Sequence, residues 1–289
     1  MLIPAIKKDE ALIAEMDACL SNDDVFQLWW LGQSGYLLQW KKQRVLIDPY
    51  LSDSLTKKYL ATNKPHTRMS ELVVKPELLE NILVVTSSHN HTDHLDGETL
   101  MPVIKNNPAI KFVIPEANRA FVAERVKCDL NFPVGLNDSK QVTIGDFTFI
   151  GVPAKHNELE RDEHGNSRFM GYVIKFGGHT IYHSGDTLWF DGMADLLKPF
   201  NVDLALLPVN GNDPLRGVAG NLDCCEAAQL GKEIGAHCVI PCHYDMFTFN
   251  TANPEDFAKA CESIEQPYKI LRGGEAFYSV TALKTSVNV

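Results

Sequence analysis

Apolar and polar positions along this chain fall into short strand-like runs and helical stripes. Residues 26–31, 36–40 and 45–47 are three apolar runs separated by Gly32-Gln33-Ser34-Gly35 and Lys41-Lys42-Gln43, the pattern of three strands joined by turns. Ahead of them Leu12, Ile13, Met16 and Leu20 recur at helical spacing behind Asp9, a side chain suited to capping. Residues 1–25 therefore read as a helical leader packed on the body. Residues 51–75 have no clear period and contain Pro65-His66-Thr67-Arg68, which predicts a long loop facing substrate. A strand at 82–86, a helix near 97–106, a strand at 111–114 and a helix over about 115–126 then alternate. One hairpin spans 141–150 around Gly145-Asp146 and runs on to His156; another joins 171–176 to 180–183 through Gly177-Gly178. A strand at 203–207, a helix at 222–234, a strand at 237–240, a helix at 254–263 and strands near 268–271 and 276–281 complete the chain. No low-complexity linker divides it. Two strand-rich halves, each with helices, predict the halves of one sandwich, a single domain over 1–289.

The strand ends carry the chemistry. The run Ile82-Leu83-Val84-Val85-Thr86 leads into His89, His91, Asp93 and His94, three imidazoles and a carboxylate within six residues. Neutral imidazole and ionised carboxylate are ligands for first-row metals, and no thiolate stands among them. Other apolar runs end in Asp48, His156, Asp186 and His243. Loops at strand ends of layered folds collect along one rim, so residues this far apart in sequence are expected to converge.

In order, His89-x-His91-x-Asp93-His94, His156, Asp186 within Ser184-Gly185-Asp186-Thr187, and His243 within Pro241-Cys242-His243 resemble the metal-binding motifs of the metallo-β-lactamase superfamily. The resemblance spans residues 26–281 and implies an α+β fold, a four-layer αββα metallo-β-lactamase sandwich with its metal site at one edge of the paired sheets. It implies that His89, His91 and His156 hold a first divalent ion, that Asp93, His94 and His243 hold a second, and that Asp186 bridges them. Within the superfamily, Trp29 to Gly35, Tyr182 to Thr187 and Ile240 to Phe247 look like the L-ascorbate-6-phosphate lactonase family and its metal-dependent hydrolase relatives. That likeness implies manganese, although imidazole and carboxylate suit zinc and iron as well. The expected activity is hydrolysis of a lactone or other cyclic ester by metal-activated water, with Asp93 both ligand and proton carrier. Phosphodiester hydrolysis and a non-catalytic metal-binding protein are the alternatives.

Composition narrows the partners. The 289 residues carry 27 basic and 37 acidic side chains, a formal charge of −10, which disfavours nucleic acid and anionic lipid as partners. No apolar stretch approaches the roughly 20 residues of a spanning helix, so no membrane partner and a cytoplasmic location are expected. Seven scattered cysteines without a CxxC pair argue against a disulfide framework. A small anionic substrate is expected, with Arg216, Asn210, Asn221, His66, Arg68 and Tyr244 as contacts. Arg216 leads because a guanidinium grips carboxylate or phosphate through two hydrogen bonds. Asp48 is expected to accept a hydrogen bond from a ligand imidazole, and His183 to support the packing. The charged stretch 158–163 predicts an exposed insertion near the site mouth. A homo-oligomer is compatible with the sequence.

Overall fold

A computed structural model describes residues 1–19 and 25–279. Helix α1 (Asp9–Ala18) precedes strands β1 (Gln27–Gly32), β2 (Gly35–Trp40) and β3 (Gln43–Ile47). Helix α2 (Ser54–Tyr59), β4 (Ile82–Thr86), α3 (Gly97–Asn106), β5 (Lys111–Pro115), α4 (Arg119–Val126) and β6 (Val134–Leu136) follow. The second half runs β7 (Gln141–Ile144), β8 (Phe147–Pro153), β9 (Met170–Phe176), β10 (His179–His183), α5 (Met193–Leu197) and β11 (Leu204–Pro208). It closes with α6 (Cys224–Ile234), β12 (Cys238–Cys242), α7 (Pro254–Ser263) and β13 (Ala276–Tyr278).

The strands form two sheets, β13-β1-β2-β3-β4-β5-β6 and β12-β11-β10-β9-β8-β7. Each half of the chain builds one sheet, except that β13 returns to pair with β1. Side chains on the first sheet alternate between its faces, as a period of two requires. Leu28, Trp30, Leu38, Val45 and Ile47 join a core shared with Phe147, Phe149 and Phe176 of the second sheet. Trp29, Leu31, Leu37 and Leu46 pack instead with Leu12 and Met16 of α1, Leu100 and Val103 of α3, and Val122 and Val126 of α4. Ala227 and Leu230 of α6 and Phe257 and Cys261 of α7 pack against the second sheet. The layers are therefore αββα. Burial on both faces explains why so many strands read as continuous apolar runs rather than alternations.

Strand direction places the site. β3 and β4 are parallel, and β1 shares their direction through two antiparallel pairings. β10, β11 and β12 are parallel, and β8 shares their direction through β9. Hydrogen bonds between the sheets gather these strand ends at one rim. Met170 N donates to Ser88 O (3.1 Å), His243 N to Gln33 O (3.3 Å), and the Tyr172 hydroxyl to Ser87 O (2.9 Å).

Several expectations change. The loop expected over 51–75 contains the six-residue helix α2, too short to show a period. β6 and α5, of three and five residues, are shorter still and are not among the elements predicted from the sequence. The helix expected from 115 begins as a 3₁₀ turn, Glu116–Asn118, and becomes α-helical at Arg119. The strand expected near 268–271 reduces to one bridge between Val239 and Tyr268. Leu20 and the end of the strand expected at 276–281 lie outside the described residues. Among the described residues no helix is long and apolar enough to cross a membrane.

Candidate metal centre

The ligand-rich loop is shaped by local bonds. His94 N and Leu95 N both donate to His91 O, closing a turn, and Asp96 then caps α3 by accepting from Glu98 N and Thr99 N. Loop and helix are thereby fixed to the end of β4. At the end of β10, Gly185 has φ +61, and a Cβ there would lie 2.7 Å from Met170 O and 2.8 Å from the Ser88 side chain. Only glycine lets Asp186 approach the other sheet at this point. Three non-glycine residues of the rim also take left-handed backbone: Asp48 (φ 39), Gln33 (φ 52) and His243 (φ 64). Such conformations cost on the order of 1–3 kcal/mol each and collect at functional sites.

All seven expected ligands meet here. Two groups form, one of His89, His91, His156 and Asp186 and one of Asp93, His94 and His243, with candidate ligand atoms in each group within 4.8 Å of one another. In the first, His156 Nε2 lies 3.1 Å from His91 Nδ1 and 3.5 Å from Asp186 Oδ2, which is 4.0 Å from His89 Nε2. In the second, Asp186 Oδ1 lies 2.7 Å from His243 Nε2 and 3.2 Å from His94 Nε2, and His94 Nε2 lies 3.8 Å from Asp93 Oδ2. The two oxygens of one carboxylate thus face different groups.

The far sides of the rings are held by the protein. His156 Nδ1–H donates to Gly220 O (2.9 Å), which leaves the Nε2 lone pair directed inward. His94 Nδ1 meets Asp48 Oδ2 at 2.9 Å, while Thr86 Oγ1, Ser88 N and Ser88 Oγ also donate to the Asp48 carboxylate. Gln33 Nε2 donates to Asp93 Oδ2 (2.8 Å) and lies 3.0 Å from His243 Nδ1. On the inward side, His89 Nε2, His94 Nε2, His243 Nε2 and Asp186 Oδ1 are buried without a hydrogen-bond partner. His243 and Asp186 are close but misaligned for a hydrogen bond. Buried polar atoms are rarely left in this state, and their gathering in these two groups fits bound cations.

Electrostatics agree. Burial pushes His89 well down and His156 down, and burial with the adjacent His156 ring brings His91 to about 4, so these imidazoles are neutral and carry free lone pairs. Burial would raise Asp186, but His243 and His94 outweigh it and hold the carboxylate well below its usual range. Burial opposes a charge on His94, yet Asp186 and Asp93 push it well up. The excess negative charge draws a proton onto a buried ring, and divalent ions supply the same compensation with more charge. The donor set fits two such ions.

Beside this cluster lies a cavity of about 490 Å³, bordered by Gln33, Asn90, His91, Asp93, His156 and Asp186 at its base. Of the six expected substrate contacts, His66 lines it, with its ring 4.5 Å from that of Tyr59 and Nδ1 2.8 Å from Lys64 O. The other five do not. Arg216 donates to Asn250 Oδ1, Asn210 O and Gly211 O, bracing its own loop. The Asn210 and Asn221 amides bond to each other, and Asn210 also to Asn250. Arg68 binds Asp53 Oδ1 and Ser52 O beside Met246. Tyr244 is buried, stacked on Trp30 at 4.4 Å, with its hydroxyl donating to Leu271 O. It borders a different cavity. His183 is buried with Nε2 3.2 Å from Ser34 O, in the supporting place expected of it. The charged insertion is exposed but does not border the cavity; Arg161 and Ser167 pin it to Asp138. Gln33, Asn90, Lys58, Lys64 and Arg125, for which the sequence predicts no role, also border the cavity. For Gln33 the signal was its place at the end of β1, a strand sharing the direction of β3 and β4. For the cations it was membership of, or packing near, the unpatterned 51–75 segment and α4.

Comparison with known proteins agrees with the geometry. Residues 43–244 match the Beta-lactamase superfamily domain. A UPF0173 metal-dependent hydrolase of Archaeoglobus fulgidus is 30% identical over 257 residues, covering 87% of this chain and 98% of that protein. The metallo-beta-lactamase fold protein YhfI of Bacillus subtilis superposes with a TM-score of 0.64 at 19% identity, over 89% of this chain and all of that one. An isothiocyanate hydrolase from Delia radicum gut bacteria gives 0.68 at 21% identity, over 87% and 98%. At these identities the two structures speak for the fold alone.

Proposed function

This chain belongs to the beta-lactamase superfamily, with UPF0173 metal-dependent hydrolases among its relatives, and from that premise we propose a dinuclear lactonase. It is a metal-dependent hydrolase; the finer reading is that two divalent ions, zinc or manganese, serve the opening of a lactone or other cyclic ester. One observation carries the two-ion reading. Asp186 directs Oδ1 toward His94 and His243 and Oδ2 toward His89 and His156, so that its one carboxylate could serve an ion held by either group.

When bound, such ions supply Lewis acidity and bring the pKa of water toward neutrality. The chain's own residues do the rest. Neutral His89, His91 and His156 offer lone pairs on one side of Asp186, and His94, His243 and Asp93 face the other. Burial would raise Asp93, but His94 and other neighbours keep its carboxylate below the ordinary range, so it is ionised at neutral pH, the form from which a proton carrier must start. Gln33 holds Asp93 Oδ2 at 2.8 Å, steering the carboxylate at the cavity floor. A departing ring alkoxide needs less help from this one proton carrier than an amine would, which favours a cyclic ester over an amide. The cavity's size suits a small molecule rather than a polymer.

The test is hydrolysis of a panel of lactones, phosphodiesters and amides by protein reconstituted with zinc, manganese or iron. Lactone turnover that disappears in His91→Ala supports the reading. Turnover confined to phosphodiesters or amides, or none in the loaded protein, overturns it.

A further inference from the structure

The cavity wall has a charge opposite to that of the whole molecule. The chain has a formal charge of −10, yet the cavity is bordered by Lys58, Lys64 and Arg125, and its only carboxylates are Asp93 and Asp186 of the metal cluster. Among the described residues none of the three cations has a carboxylate within ion-pairing distance. Lys58 Nζ reaches Thr92 Oγ1 at 3.5 Å, between the ligands His91 and Asp93, and lies 5.2 Å from the Tyr59 ring centroid. Arg125 lies 4.6 Å from the Phe121 ring centroid and donates one bond, to Leu95 O. Lys64 donates to Gly217 O, tying the loop after α2 to the loop before α6. The wall also carries apolar side chains, Leu55, Tyr59, Phe121, Val218 and Phe247, alongside the polar Gln33, His66, Asn90, Thr92 and Asn250.

On the reading of this cavity as the hydrolase site, we propose that its substrate is an amphipathic anion. A carboxylate or phosphate group is bound by Lys58 and Arg125, and an apolar or aromatic body lies against Tyr59 and Phe247. Two cations that border the cavity without a carboxylate partner favour a negative group over an isosteric neutral one. The Tyr59 and Phe247 rings offer a surface on which a flat apolar body can be buried.

Calorimetric titration of phenyl phosphate, phenylacetate, phenylacetamide and acetate into metal-loaded protein tests this without turnover. The two aromatic anions should bind about tenfold or more tightly than phenylacetamide, the gain expected of charge-assisted bonds. Acetate should bind about tenfold more weakly than phenylacetate, the cost of leaving a ring unburied. Lys58→Gln should erase most of the preference for anions while leaving phenylacetamide affinity, metal content and melting temperature unchanged, and Lys58→Arg should restore it. Equal binding of anion and amide, an anion preference untouched by Lys58→Gln, or acetate binding as well as phenylacetate would overturn the proposal. An inert hydrolysis panel with these preferences intact would sink the lactonase reading and leave this one standing.

Discussion

Asp48 Oδ2 lies 2.9 Å from Nδ1 of His94 in a contact with no solvent access on either side chain. Burial would raise the Asp48 pKa, but His183, His94 and Ser88 outweigh it, and the carboxylate stays ionised below its usual range. An ionised acceptor on Nδ1 fixes the proton there and leaves Nε2 of His94 free to ligate, 3.2 Å from the shared Asp186 carboxylate.

Asp48→Asn therefore weakens metal binding. The amide has nearly the same shape but loses the charge that orients His94, so affinity for the more weakly held ion should fall about 10- to 100-fold, the usual cost of such a supporting partner. Chelator competition on the folded variant measures it. Unchanged affinity would show that Asp48 serves only the turn before Pro49.

Gln33→Leu keeps the size and removes the amide between Asp93 and His243. Turnover of any hydrolysed substrate should fall about tenfold or more through kcat, since a proton carrier loses its orientation. KM should change little. Steady-state kinetics that moved KM alone would place Gln33 in substrate binding instead.

Tyr244→Phe separates structure from recognition. The ring stays stacked on Trp30, and only the hydrogen bond to Leu271 O is lost. Stability should drop by about 1–3 kcal/mol because a buried carbonyl is left without its donor. KM should be unchanged, as Tyr244 does not border the metal-site cavity. Thermal unfolding beside substrate kinetics checks both. A raised KM with unaltered stability would return Tyr244 to the substrate.

The cluster of candidate ligands could be read from the sequence because its chemistry is local and rare. Four ligand-type side chains crowd one loop after a strand, and His156, Asp186 and His243 each follow an apolar run, so strand direction alone carries them to the same rim. Asp48 was recognised by the same logic. The substrate wall was not, because lysine and arginine are ordinary surface residues and only packing shows where their donors go. Arg216 is the best anion binder by residue type, yet its guanidinium is taken up by Asn250 and two backbone carbonyls away from the cavity, whereas Lys58 and Arg125 border it without a carboxylate partner. Short elements such as α2, which carries Lys58 and Tyr59, hold too few residues to display a period.

The most direct test of the two-ion account is elemental analysis of protein saturated with zinc or manganese and then freed of excess metal. A carboxylate serving two ligand groups predicts about two ions per chain in the wild type, and loss of the less tightly held one in Asp186→Asn. Saturation at one ion per folded chain, or the same stoichiometry and affinity in Asp186→Asn, would contradict it.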